Sequence, residues 1–213
     1  MHLRPVIWAL ASISILAAQA PPTAHQRLAK ELLAELVGLD TTGEHGDTTP
    51  AARALAKRLL DAGFPAEDVK LVGPETRHQN LVARFRGRGQ GRPILILAHL
   101  DVVEAKRSDW TVEPFRLTEK EGWLYGRGTQ DIKCEAAIQV ATFLRLKREG
   151  FQPKRDLILA LTAGEEGSTF YDGVQWLVTN RRDLIDAEFC LNGDGGGPVA
   201  TRGVPRFRAL QAS

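Results

Sequence analysis

Four short stretches of this chain combine histidine or carboxylate side chains with glycine: Ala98-His99-Leu100-Asp101, Gly128-Thr129-Gln130-Asp131, Gly164-Glu165-Glu166-Gly167 and Asn192-Gly193-Asp194-Gly195. Imidazole and carboxylate are side chains that hold divalent cations and that move protons. In the first stretch, two-residue spacing lets Asp101 reach round to His99. A carboxylate on one ring nitrogen fixes the tautomer and leaves the other nitrogen free for a metal. In the second, the glycines allow close backbone approach, and Asp131 opens a helix with its charge at the positive end of the dipole. In the third, adjacent carboxylates are costly to place together unless cations neutralise them. At a strand end they diverge, so one can bind metal while the other faces substrate. In the fourth, the glycines let Asp194 point inward.

Each stretch has a plainer reading. His99 and Asp101 fit a satisfied core histidine, Asp131 a helix cap, Glu165-Glu166 an exposed loop, and Gly193–Gly197 a flexible turn. Gly126-Arg127-Gly128 superficially suggests a nucleotide loop. It lacks the third glycine, and a hairpin rather than a buried strand precedes it. The four stretches gain meaning together, because all lie at or near the ends of apolar strands, the edge where open α/β sheets bind ligands.

The elements that must position them read as follows. Leu28, Leu32 and Leu36, with Leu33 and Val37, form one apolar stripe over a helix from His25 to Leu39. Thr49 and Pro50 read as N-cap and first position of a second helix that Gly63 ends. Strands are expected at Val69–Val72 and Asn80–Phe85, the latter alternating as a half-buried strand does. Pro93–Ala98 and Asp156–Thr162 are apolar runs suited to strands covered on both faces, and Phe189–Leu191 is a third buried strand. Phe115 to Tyr125 reads as a hairpin, and Ile132–Glu149 and Tyr171–Asn180 as helices. Alternating strand and helix gives an α/β fold, a mostly parallel mixed sheet flanked by helices.

The chain has 213 residues, 43% hydrophobic and 25% charged, with net charge +2. That suits one globular domain with an ample core. Lys and Arg are scattered, so no nucleic-acid partner is expected. Arg4, the apolar run Val6–Ala18 and Ala18-Gln19-Ala20 form a signal-peptide pattern over residues 1–20, too short for a stable membrane span. Pro21 is a poor residue to follow the cut, so an uncleaved anchor is the alternative. Either way the protein is expected to be exported, secreted or periplasmic. Cys134 and Cys190 are the two cysteines, without CxxC spacing, and Cys190 reads as a buried strand residue.

With those residues in order, the chain resembles the M20 metallopeptidase family. The resemblance rests on His99–Val103 (HLDVV), a Trp110, Pro114, Phe115 segment, Leu124–Lys133 (LYGRGTQDIK), Glu165–Gly167 (EEG) and Leu191–Gly197 (LNGDGGG), and extends from about Leu28 to the C-terminus. The family includes aminoacylases, carboxypeptidases and dipeptidases. It implies two zinc ions, with His99 and Asp194 on one, Glu166 on the other, and Asp131 bridging both. Glu165 would be the general base and Asp101 the residue orienting His99. The implied reaction is hydrolysis of a small peptide or N-acyl amino acid by a metal-activated water. Cys134 departs from the glycine common after the Asp-x-Lys segment and takes no catalytic role. The family's last zinc ligand, a histidine, and its inserted lid and dimerisation domain come from further along a full-length chain. Residues 21–213 are therefore expected to be the N-terminal portion of the catalytic domain, with any homodimer formed through the missing part. The competing expectation is a truncated, non-catalytic remnant that binds at most one metal ion through His99, Asp131 and Asp194.

Overall fold

The computed structural model describes residues 21–167, 170–194, 199–201 and 204–206. The signal-peptide reading of residues 1–20 lies outside the described residues.

Helix α1 spans Ala24–Val37, and Thr23 and Gln26 cap it reciprocally, side chain to backbone. Helix α2 spans Thr48–Asp61. Its cap is Asp47 rather than the expected Thr49: the Asp47 carboxylate accepts from the Thr49 and His78 amides at 2.8 and 3.1 Å. Thr49 instead lies inside the first turn and donates its hydroxyl to the Thr76 carbonyl. Strands β1 (Val69–Val72), β2 (Asn80–Phe85) and β3 (Ile94–His99) follow, then the hairpin β4 (Thr118–Lys120) and β5 (Trp123–Tyr125). Helix α3 is Lys133–Arg148, β6 is Leu157–Thr162, α4 is Gly173–Asn180 and α5 is Arg182–Ile185. Strand β7 is Phe189–Asn192, and β8 (Val199–Thr201) pairs with β9 (Val204–Arg206) in a separate ribbon.

The main sheet has the order β1-β2-β6-β3-β7. Strands β6, β3 and β7 run parallel, while β2 joins β6 and β1 joins β2 antiparallel. This is the expected α/β class with a mixed sheet. Period-two alternation divides the strands between two cores. Leu81, Ala83, Phe85, Leu159 and Leu161 face α1, α2 and α3, where Leu32, Leu36, Leu55, Leu59, Val140 and Phe143 are fully buried or nearly so. Val82, Ile158 and Ala160 face the other way, onto Leu177 of α4 with Leu184 and Ile185 of α5 beside it. Helices thus cover both faces. Each fully buried Leu or Phe contributes roughly 1.5–3 kcal/mol of transfer free energy.

Two strands are less covered than their composition suggests. In β3, Ile94–Leu97 are half-buried, and in β7 all residues are exposed, with Phe189 at 53% and Leu191 at 59%. The cause is position: β7 pairs on one side only, with β3, and α4 and α5 reach no further across the sheet among the described residues. Cys190, expected to be buried, is accordingly exposed. Among the described residues no helix is long and apolar enough to cross a membrane.

Candidate metal centre

Parallel pairing brings the candidate residues together. Register sets His99, the last residue of β3, beside Thr162, the last of β6, and Leu97 beside Asn192, the last of β7. The loops leaving these carboxyl ends carry Asp101, then Glu165 and Glu166, then Asp194. Asp131 arrives from the side, two residues before α3 begins. The His99 imidazole is 2% exposed and sits among these groups. Its Nε2 lies 3.2 Å from a carboxylate oxygen of Asp131, 3.5 Å from Asp194 and 3.6 Å from Glu165. Two triads can each offer ligand atoms within 4.8 Å of one another: His99, Glu165 and Asp194, and His99, Asp131 and Glu166.

The other face of the ring meets Asp101, which is 1% exposed. Nδ1 of His99 is 3.0 Å from the Asp101 backbone carbonyl and 3.6 Å from its carboxylate. The carboxylate accepts instead from the Glu166 amide at 3.1 Å. A carbonyl at Nδ1 requires the N–H there, so Nε2 presents its lone pair to the acidic cluster. That nitrogen is buried and makes no hydrogen bond among the described residues.

Glu165 and Glu166 sit on a loop whose shape is set by its surroundings. Gly164 has φ +83°, and a Cβ there would collide with the Tyr171 carbonyl, so only glycine turns the chain at this point. Asn80, fully buried, accepts the Ala163 amide at 2.9 Å and donates to the Val72 carbonyl and the Tyr171 hydroxyl at 3.0 and 3.2 Å. The Tyr171 hydroxyl donates to the His78 carbonyl. Composition gave no sign that Asn80 supports the site. The only signal is a lone amide opening a mainly apolar strand. His78 is 4% exposed and stacks on Phe170 at 3.7 Å between ring centroids, outside both triads.

The electrostatics follow from crowding. Burial opposes protonation of His99, but Asp101, and then Glu165 and Asp194, outweigh it and raise the imidazole above its ordinary value. Burial, together with Asp194, Asp101 and Asp131, raises Glu165. Burial and then Asp131 raise Glu166. Anionic groups that hold one another's protons this way are stabilised by a cation. The donor set, carboxylates with one imidazole whose free nitrogen faces them, fits a divalent metal ion. A cleft of about 260 Å3 is lined by His99, Glu165 and Asp194 together with Asp172 and Val174. All six residues singled out from sequence therefore meet in one place.

Residues 95–206 match the peptidase family M20/M25/M40. The chain is 40% identical over 138 residues to a probable succinyl-diaminopimelate desuccinylase of Staphylococcus aureus strain Mu50, covering 64% of this chain and 32% of that protein. It is 35% identical over 171 residues to one from Staphylococcus epidermidis strain RP62A, covering 79% and 40%. Among solved structures, the M20 metallo-carboxypeptidase Sso-CP2 of Sulfolobus solfataricus superposes with a TM-score of 0.67 at 18% identity, covering 82% of this chain and 38% of that one. Human carnosine dipeptidase 1 gives 0.65 at 18% identity, covering 84% and 43%. The chain spans about a third to two fifths of the length of these curated relatives.

Proposed function

The chain belongs to peptidase family M20/M25/M40, and from that premise we propose that it supplies the metal-holding and proton-transferring residues of a hydrolase acting on peptide or N-acyl amide bonds. The observation that carries this reading is the buried, orphaned Nε2 of His99, ringed by Asp131, Asp194 and Glu165 at the carboxyl edge of the sheet. On this reading His99, Asp131, Glu166 and Asp194 would hold zinc, proposed at two ions. When bound, divalent ions of this kind polarise a carbonyl and acidify water. Asp101 keeps the His99 ring turned by its backbone carbonyl and steadies the Glu166 amide by its carboxylate.

Glu165 is the group proposed to move the proton. Its side chain is half exposed in the cleft, so substrate can reach it, and its raised proton affinity brings it nearer to neutral pH than a free glutamate. It takes a proton from the attacking water and hands it to the departing amine. The likeness to a probable succinyl-diaminopimelate desuccinylase supports, as part of the same proposal, an amide near a carboxylate as the substrate class. The export expected from residues 1–20 is part of the proposal, and N-terminal sequencing of the protein recovered from its host tests it.

The direct test joins elemental analysis to an assay on N-succinyl and N-acetyl amino acids and on dipeptides. In a protein carrying the complete catalytic domain, zinc retained at two per chain, with turnover abolished by Glu165→Ala, is the expected result. Undiminished turnover in that variant overturns the assignment of the base. A second reading has its own observation. His99 is the sole imidazole in the two triads, which suits one ion held without catalysis. One zinc per chain and no turnover would establish that reading.

A further inference from the structure

Among the large side chains fully withdrawn from solvent is one cation, Lys133, at 0% exposure. It is the first residue of α3, where its charge opposes the dipole of its own helix. Its ammonium finds its partners elsewhere. Nζ donates to the carbonyls of Leu36 and Leu39, each at 2.8 Å. Those carbonyls lie at the C-terminal end of α1, where backbone acceptors run out of intrahelical donors and the dipole favours a positive charge. Asp40, just beyond, adds a favourable field.

The stem of the same side chain shapes the segment before it. Gly128 has φ +85°, and a Cβ there would stand 2.8 Å from Lys133 Cδ and 3.0 Å from Val102 Cγ1. The chain from Gly128 to Asp131 therefore closes over the lysine stem, and the lysine head is tied to α1. Asp131 lies between these two restraints.

We propose that Lys133 is a positioning residue for Asp131: by fastening the start of α3 to the carbonyl end of α1, it holds the Asp131 carboxylate against Nε2 of His99. Neither restraint makes a hydrogen bond to the acidic cluster, so the positioning passes through the backbone of residues 128–133; the field of the ammonium also reaches Asp101, and Gly128→Ala, which keeps that charge, separates the two effects. The consequence for metal binding rests on the reading of Asp131 as a ligand. The restraint on the segment does not.

The test uses the full chain and two variants, Lys133→Met, which keeps the stem and removes the ammonium, and Gly128→Ala, which pushes the stem aside. Amide exchange is followed by mass spectrometry without metal, and cobalt(II) is titrated while its visible spectrum is recorded. In Lys133→Met, exchange is expected to rise in peptides covering residues 36–42 and 126–133, with β2, β3 and β6 still protected. Cobalt affinity is expected to fall about tenfold or more, with an altered spectrum, as for loss of a residue that orients a ligand. Gly128→Ala should reproduce the regional pattern, and it decides the matter if Lys133→Met does not fold. Unchanged exchange over 126–133, or a uniform loss of protection through the sheet in the folded variants, overturns the proposal. So does an unchanged cobalt spectrum and affinity. If the unsubstituted chain takes up no cobalt, the metal reading fails by itself, and exchange over 126–133 alone decides whether Lys133 restrains the segment.

Discussion

His99 turns its Nδ1 to the backbone carbonyl of Asp101 at 3.0 Å, while the Asp101 carboxylate, 3.6 Å from that nitrogen, reaches the Glu166 amide at 3.1 Å. One residue thus orients the imidazole with its main chain and a second candidate ligand with its side chain. Asp101→Asn keeps the backbone contact and the shape but removes the charge. Zinc affinity should fall about 10–100-fold, the usual cost of losing such support. The proton affinity of His99 should fall as well, because Asp101 is the largest favourable influence on it. Calorimetric titration with zinc and a histidine NMR titration measure the two effects.

The metal-free chain should have an unusual dependence on pH. His99, Glu165 and Glu166 all hold protons more tightly when folded than their ordinary values of 6.5 and 4.5. Their stabilising contribution is complete below those values and is lost as pH rises through the higher folded ones. Asp47 and Asp156 are held below 3.8 by backbone and side-chain hydrogen bonds that outweigh burial, and they contribute above that value. In EDTA these three groups should lower the melting temperature as pH rises from about 5 to about 7.5, against a smaller opposing contribution from the single group His78, which burial holds below 6.5. Added zinc should reverse that trend, because the same groups bind it when deprotonated. A melting temperature that climbs through this range in EDTA would contradict the crowding seen around His99.

Asn80→Ala should cost about 1–3 kcal/mol, the range for leaving a buried backbone group unpaired. The Ala163 amide, at the root of the Glu165–Glu166 loop, loses its acceptor, and the Val72 carbonyl and Tyr171 hydroxyl lose a donor. Urea denaturation gives the stability, and zinc titration of the folded variant should show weakened binding as well.

Glu165→Gln preserves size and removes the proton acceptor. Turnover should drop about 10²–10⁴-fold, with the melting curve nearly unchanged, since the side chain is half exposed. Parallel assays and thermal scans of the two proteins check this.

Much of the site was legible because local composition reports it directly. The apolar runs ending at Ala98 and Thr162 are strands, and the charged clusters follow them at the carboxyl edge. What stayed hidden depended on distant partners. The run Ala187–Leu191 is mainly apolar, yet β7 is an exposed edge, because hydrophobicity does not say which faces a neighbour covers. Lys133 at a helix start looks like a solvated charge until α1 brings two carbonyls to it. Asp47 displaced Thr49 as the cap because it also serves His78, thirty-one positions away.

The strand order has a consequence for how the chain is made. Strand β3 pairs with β6 and β7, both later in sequence, so His99 leaves the ribosome on a strand whose partners do not yet exist. Of the six site residues the nascent chain carries His99, Asp101 and Asp131, but lacks Glu165, Glu166 and Asp194 until synthesis is nearly through this region. Ion uptake is then a late event, following sheet assembly rather than guiding it. A cell that loads the protein during translation would be loading a centre that its own topology has not yet brought together.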